Sequence, residues 1–374
     1  MAPGKKSFNH WFFAASWAIA QSLYPDTSSY CGEPFTLQPG LAIESTCALA
    51  SYNEAASVDT PVFGSASFIY WIASQGGMLI GTPYPSSVPL SGGPTLGRPQ
   101  GQPGLFADNA FKPGFKVGLG AKIDRDNWVV FAEYTRLHAT TNTFQTAPAP
   151  LISPGGLNLG VFLEEFFLVV NGSATQMGLK WTYNLDYGDI QLSRPGYIGT
   201  HLTVEPFAGL RAALIIQKGL GVMQGIRYPT FISETPAYTH LASHAIGIGP
   251  KIGANGSWLL KEGIRLNGNA YGALLFTRYT SITQDIDNID LVTDLNAKAQ
   301  SYSSKNVDTV RPMAGAALGL GWGSYFGQNL YFDLSANYEF NVFWAQNMLF
   351  SARTDLPLGD LYLHGLTASA RCDF

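Results

Sequence analysis

NLYFDLSANYEFNVFW, residues 329–344, alternates from end to end without a break. One face carries Leu330, Phe332, Leu334, Ala336, Tyr338, Phe340, Val342 and Trp344; the other carries Tyr331, Asp333, Ser335, Asn337, Glu339 and Asn341. A period of two puts these sets on opposite sides of a β-strand. The apolar row has aromatics towards its ends and aliphatics between them, the pattern of a strand that crosses a bilayer between two aromatic girdles.

The flanking stretches repeat the arrangement. Before it, Ala314, Ala316, Leu318, Leu320 and Trp322 alternate with Gly315, Ala317, Gly319, Gly321 and Gly323. Glycine weakens a strand, so this row of small residues predicts that other groups pass close to that wall. After it, Tyr362, Leu366, Ala368, Ala370, Cys372 and Phe374 are expected to face lipid, with Thr367, Ser369, Arg371 and Asp373 opposite. A chain that stops on Phe374 in this phase resembles the terminal signal read by the outer-membrane assembly machinery.

Composition agrees. Charged residues make up 13% of the 374, against roughly 25% in soluble proteins, while aromatics reach 13% and glycines number 41. The mean hydropathy is only +0.06. A wall exposing half its residues to lipid and half to water has that balance. A net charge of −4 argues against a general nucleic-acid binder, which needs a basic surface. No run of about 18 apolar residues exists, which excludes a helical span.

Residues 1–20 read as a secretory signal, with Lys5 and Lys6 before the apolar Trp11 to Ala20 and an Ala18-Ile19-Ala20 end; an amphipathic helix kept in the mature chain is the alternative. Residues 21–61 read as a periplasmic segment in which Cys31 and Cys47 could close a loop in an oxidising compartment. Residues 62–374 read as an all-β, closed antiparallel transmembrane barrel of about twelve strands, within a range of ten to sixteen. Turns such as Asp124 to Asn127 and Lys261 to Gly263 are short and look periplasmic; the connections 74–113, 139–173 and 281–306 are long and look extracellular. At Asp186 to Asp189 the apolar parity flips, from Met177, Leu179, Trp181, Tyr183 and Leu185 to Ile190 and Leu192, and a turn is expected there. A weaker strand is expected over Gly221 to Ile232.

Ser67-Phe68-Ile69-Tyr70-Trp71, Pro113-Gly114-Phe115-Lys116-Val117-Gly118 and Ala132-Glu133-Tyr134-Thr135 resemble segments of the pore-forming Legionella major outer membrane protein family, which includes porin-like proteins of chlamydia-related bacteria. Leu202 to Arg211, Asn337-Tyr338-Glu339 and Gly365-Leu366-Thr367 continue the similarity to the end of the chain. The resemblance implies an abundant outer-membrane pore protein, in some members also involved in host contact.

The functional expectation rests on charges in the inward rows: Lys116, Lys122, Glu133, Lys180, Glu205, Arg211, Lys251, Arg265, Asp333, Glu339 and Arg371. Burying them in a dry core would cost several kcal/mol each before pairing, so a water-filled lumen conducting small hydrophilic solutes and ions is expected. Seven of these are basic and four acidic, which favours anions. Glu164 and Glu165, in the connection 139–173, are candidates for an inward constriction loop. A plugged structural or adhesive barrel is the alternative. No catalytic constellation, cofactor or metal site is expected; His240 and His244 could share a face but have no carboxylate or cysteine partners in the pattern zinc requires. The acidic loop with Asp285, Asp287, Asp290 and Asp294 lacks the glycine and terminal glutamate of an EF-hand. Expected partners are outer-membrane lipid, lipopolysaccharide, the assembly machinery and small solutes, with association between copies of the chain left open.

Overall fold

A computed structural model describes residues 62–83, 105–107, 109–123, 127–146, 161–163, 173–174, 176–198, 200–224, 226–227, 232–233, 236–261, 263–287, 300–326, 330–348 and 359–374. The expected signal and periplasmic segments, Cys31, Cys47, Glu164, Glu165, Asp290 and Asp294 lie outside them.

Ten strands form the wall: β1 (Val62–Gln75), β2 (Lys112–Ile123), β3 (Trp128–Thr146), β4 (Gln176–Ser193), β5 (Leu202–Gln224), β6 (Ala237–Lys261), β7 (Ile264–Asp287), β8 (Val307–Phe326), β9 (Leu330–Phe343) and β10 (Leu361–Asp373). Each pairs antiparallel with its neighbours in sequence, and β1 pairs with β10 to close the ring. Two short strands lie beside it, Gly196–Ile198 on β5 and Gln300–Ser304 on β7. The expected range therefore holds at its lower bound. Six further strands of two to five residues, drawn from the long connections, make a second sheet that includes Leu79–Pro83, Val161–Leu163 and Ser173–Ala174.

The register fixes the barrel's dimensions. Followed once around the wall, the pairing runs from Asp373 through Phe63, Gly120, Phe131, Gln191, Gly209, Lys251, Ala273, Met313 and Phe343 to Leu361, twelve residues up the strand where it began. Ten strands with that stagger tilt by about 40° and enclose a backbone cylinder of about 10 Å radius. A strand of 24 residues such as β7 then rises about 60 Å, far more than the ~25 Å apolar band of an outer-membrane barrel. The wall stands well clear of the membrane on the long-connection side.

The phases of β9, β8 and β10 are as the alternation predicts. Leu330, Leu334, Tyr338 and Phe340 are exposed on the outer face of β9, whereas Tyr331, Asp333 and Asn341 are buried inside. The small-residue row on β8 is overhung from inside: Tyr271 and Asn341 occupy the space next to Gly315, Asn337 next to Gly319, Arg265 and Asn267 next to Gly321, and Tyr331 next to Gly323. The groups passing close to that wall are thus side chains of the adjoining strands. Between β6 and β7 the turn is closed by Gly263 at φ 82°, where a Cβ would also meet the Gly323 carbonyl oxygen at 2.7 Å, so glycine is required on both counts.

Three expectations are corrected. There is no turn at 186–189, because β4 runs unbroken from Gln176 to Ser193 with its odd-numbered residues inside throughout. The connections expected at 139–173 and 281–306 begin later, since β3 continues to Thr146 and β7 to Asp287. The stretch from Gly221 to Gln224 completes β5 rather than starting a strand of its own.

The interior has two parts. Towards the long connections it is filled by a packed cluster in which Ile69, Trp71, Leu137, Trp181, Tyr183, Leu185, Tyr279 and Phe343 are at most 1% exposed. Towards the short turns it is polar, charged and hollow. A barrel of eight strands is just wide enough for side chains to fill, and at ten strands large aromatics complete the filling.

Candidate functional site in the barrel lumen

The hollow half is a cavity of about 890 Å³ that reaches the short-turn rim at Ile123, Asn127 and Pro195. Its wall carries six cations, Lys116, Lys122, Arg211, Lys251, Arg265 and Arg371, and five carboxylates, Glu133, Asp189, Glu205, Asp333 and Glu339. Strand period two places them there, each on the inward row of its strand. Ten of the eleven charges expected in the lumen are thus brought together in one space.

Lys180 is the exception. It is exposed on the outer face of β4, between the buried Leu179 and Trp181, because β4 keeps one phase where a turn was expected. The same continuity brings Asp189 inside, a lumenal carboxylate that the parity of Ile190 and Leu192 would have revealed. Asp373, wholly buried behind the cavity wall, joins it. With Lys180 gone and Asp189 and Asp373 added, the lumenal charges balance, and the basic excess behind the expected anion preference disappears.

The charges are organised as pairs, all across strands except Arg371 with Asp373 on β10. Lys116 Nζ donates to Glu339 at 2.8 and 2.9 Å. Arg211 grips Asp189 in a two-pronged contact, Nε to Oδ1 at 2.6 Å and Nη2 to Oδ2 at 2.5 Å, and Lys251 Nζ reaches the same carboxylate at 2.8 Å. Such a bidentate geometry is the strongest form of the interaction. Arg265 donates to Asp333 and, at 2.9 Å, to the Tyr331 hydroxyl. Lys122 at 3.3 Å and Arg371 at 2.7 and 3.0 Å share Asp373. Ser193 donates to Glu205, as does Asn255 at 3.4 Å. Glu133 stands in register with Asp189 on the adjacent strand and makes no hydrogen bond or ion pair with another described residue.

Aromatic rings form the boundary between the cavity and the packed half. The Arg211 guanidinium lies 4.5 Å from the Tyr187 ring and 4.7 Å from that of Tyr271, Lys251 Nζ is 4.5 Å from Tyr271, and Lys116 Nζ is 5.1 Å from Trp71. Cations on ring faces gain attraction where water is scarce. Tyr187, Tyr271 and Trp71 were not foreseen as site residues; they sit on the inward rows, but nothing in the sequence distinguishes a ceiling ring from an ordinary core aromatic.

Elsewhere the chemistry is sparse. Among the described residues no group of three or more His, Cys, Asp or Glu side chains could hold a metal ion. His138 pairs with Asp186 at 2.6 Å on the outer face, but its other ring nitrogen meets Arg136 at 3.1 Å, leaving neither nitrogen for a nucleophile. Phe374 lies at the β1–β10 seam, its backbone N–H bonded to Val62 at 3.1 Å and its ring 58% exposed. Cys372 is a free thiol one residue before it.

A closed antiparallel wall with a lipid-facing apolar band, girdled by aromatics around a charged interior, defines a transmembrane barrel of the bacterial outer membrane. The chain belongs to the Legionella major outer membrane protein family: the family model described as "Legionella pneumophila major outer membrane protein precursor" matches residues 106–374. That match starts beyond Ser67 to Trp71. No curated protein sequence matches the chain. Among solved structures it is similar to the outer membrane protease OmpT from Escherichia coli (8% identity, TM-score 0.41, covering 85% of this chain and 98% of that one). It is also similar to the Pseudomonas putida toluene transporter TodX (9%, 0.29, 88% and 94%) and to a Pseudomonas aeruginosa FadL homologue (11%, 0.25, 84% and 91%).

Proposed function

We propose that the protein is a non-enzymatic outer-membrane barrel whose lumen is closed to free diffusion: a structural, surface-presenting component with a charged vestibule open at its short-turn end. The observation that carries this reading is the packed layer of Trp71, Trp181, Tyr183, Tyr279 and Phe343, none more than 1% exposed, across the long-connection half of the barrel. A backbone radius of about 10 Å leaves such a layer little room to part.

A second reading, passive conduction of small hydrophilic solutes, is favoured by two observations. The vestibule is large and lined by charges, as a hydrated passage would be. The closing layer also contains polar atoms with no partner among the described residues, including Trp181 Nε1, the Tyr183 hydroxyl and both amide atoms of Gln284. Each such atom costs about 1–3 kcal/mol, which lowers the energy needed to part the layer.

Single-channel recording of the purified protein in planar bilayers separates the readings. Closed lumens give no resolved conductance steps in wild type, and Trp71→Ala/Trp181→Ala then creates them. Regular steps in wild-type protein, with swelling of proteoliposomes in sugar solutions, would overturn the closed reading in favour of the porin.

A further inference from the structure

The outer wall to which Lys180 belongs has a charge pattern of its own. Beyond the apolar rows that end at Tyr134, Ile216 and Ile246, the outward residues of β3 to β6 include six basic ones, Arg136, His138, Lys180, Lys218, His240 and His244, set among polar residues and the apolar Phe144, Leu220 and Val222. The register places Lys180 opposite Leu220, Lys218 opposite Thr182 and Ala242, and His240 opposite Leu220. Lys218 is therefore a diagonal neighbour of Lys180 and of both histidines, within roughly 7–8 Å. Three carboxylates share this surface, and none is paired with Lys180 or Lys218: Asp186 accepts from Tyr134 at 2.6 Å and lies beside His138, Asp285 accepts from Ser301, and Asp287 lies 3.6 Å from His240. Lys180 and Lys218 are exposed and make no ion pair with another described residue.

The patch is one-sided. On the opposite wall the outward rows of β9, β10 and β1 end in Phe340, Tyr338, Tyr362 and Tyr70, with no outward lysine or arginine among the described residues of those strands. Lys218 stands directly past Ile216 on β5, while on β4 Gly188, Asp186, Asn184 and Thr182 separate Ile190 from Lys180; Thr182 and Leu220 lie between the two ammonium groups. The chemistry that fits both the band and the patch is an amphiphile with acyl chains below and anionic oxygens above.

We infer that the outer face of β3–β6 binds the phosphorylated headgroup of an outer-leaflet lipid, with Lys180 and Lys218 as its principal ligands. A soluble anion would use only the upper half of this surface; a phosphorylated lipid uses both. The inference is independent of whether the lumen conducts.

The test is retention of bis-phosphorylated lipid A by the full-length protein in detergent, read by native mass spectrometry beside its dephosphorylated counterpart. Wild type and Lys261→Gln, a substitution at the short-turn end, should hold the phosphorylated lipid. Lys180→Gln/Lys218→Gln should bind it roughly ten- to thirtyfold more weakly, from about 1 kcal/mol for each lysine near such a surface. Equal retention by wild type and the double variant would overturn the proposal, as would equal retention of the dephosphorylated lipid. Competition by inorganic phosphate at concentrations matching the lipid would overturn the assignment to a lipid headgroup.

Discussion

The two halves of this barrel are built from the same strands but invert their polarity. In the membrane-embedded half, Leu210 on β5 faces lipid while Arg211 faces the lumen and is buried against Asp189. In the projecting half of the same strand, Lys218 faces water and Ile215 lies in the packed interior. β4 makes the change still plainer, with Asp189 and Trp181 sharing the inner face and Ile190 and Lys180 the outer one. A strand has one geometric period throughout, but what each face touches changes from lipid and enclosed water to bulk water and packed side chains. The sign of its hydrophobic alternation therefore reports environment rather than direction.

The largest expected effect lies in the packed half. Trp181→Ala should destabilise the protein by about 3–5 kcal/mol, the range for a buried aromatic replaced by alanine. Chemical unfolding in micelles, followed by tryptophan fluorescence of the remaining indoles, measures it. A loss below about 1 kcal/mol would mean that the half taken as a core is loosely filled.

Next comes a comparison within one strand and one face. Leu210 and Leu220 both point outwards from β5, ten residues apart. Leu210→Arg should cost about 2–4 kcal/mol, as arginine does near the bilayer midplane. Leu220→Arg, between the polar neighbours Lys180 and His240, should cost under about 1 kcal/mol, as a surface change does. Equal costs would erase the boundary between the two halves.

That boundary also decides how far the sequence could be read. The uninterrupted rows of β8, β9 and β10 stay within or near the apolar band, so alternation alone gave their phase correctly, and Asp333, Glu339 and Arg371 with it. Short turns such as Lys261 to Gly263 were legible from their own residues. The parity flip on β4 was not, because a turn and a change of surroundings leave the same mark on a hydropathy pattern. Gly188 and two aspartates favoured the turn, and that reading sent Lys180 inside and left Asp189 out. Nor did the charged residues announce their partners: Lys116 and Glu339 are 223 residues apart in sequence, and only ring closure brings them together.

In the hollow half, Asp189→Asn should cost about 1–3 kcal/mol, since it leaves Arg211 and Lys251 with no carboxylate between them while keeping the shape of the site. Adding Lys251→Met should restore part of the loss, because one unpaired cation is then removed. If the double variant is less stable than the single one, the three groups do not act as a unit.

The smallest effect is expected one residue from a large one. Leu334 lies in the outer row of β9, where arginine should again cost about 2–4 kcal/mol. Ser335→Arg turns the new side chain into the vestibule instead. Its cross-strand partners there are Gly321 and Ser369, and Ser369 accepts a hydrogen bond from Ser67 at 2.8 Å, so the space beside it is bounded by small groups. Asp333, two residues along on the same face, supplies a nearby negative charge. The substitution should therefore cost less than about 1 kcal/mol, the scale of a lumen-facing change that meets water. It should also create no conductance steps, because the layer that closes the barrel begins at Trp71, at the cavity ceiling. Denaturation midpoints for the two arginine variants, measured side by side, decide the point. If they coincide, β9 is out of phase, and the division between a lipid-facing and a water-facing row fails on the strand that defines it.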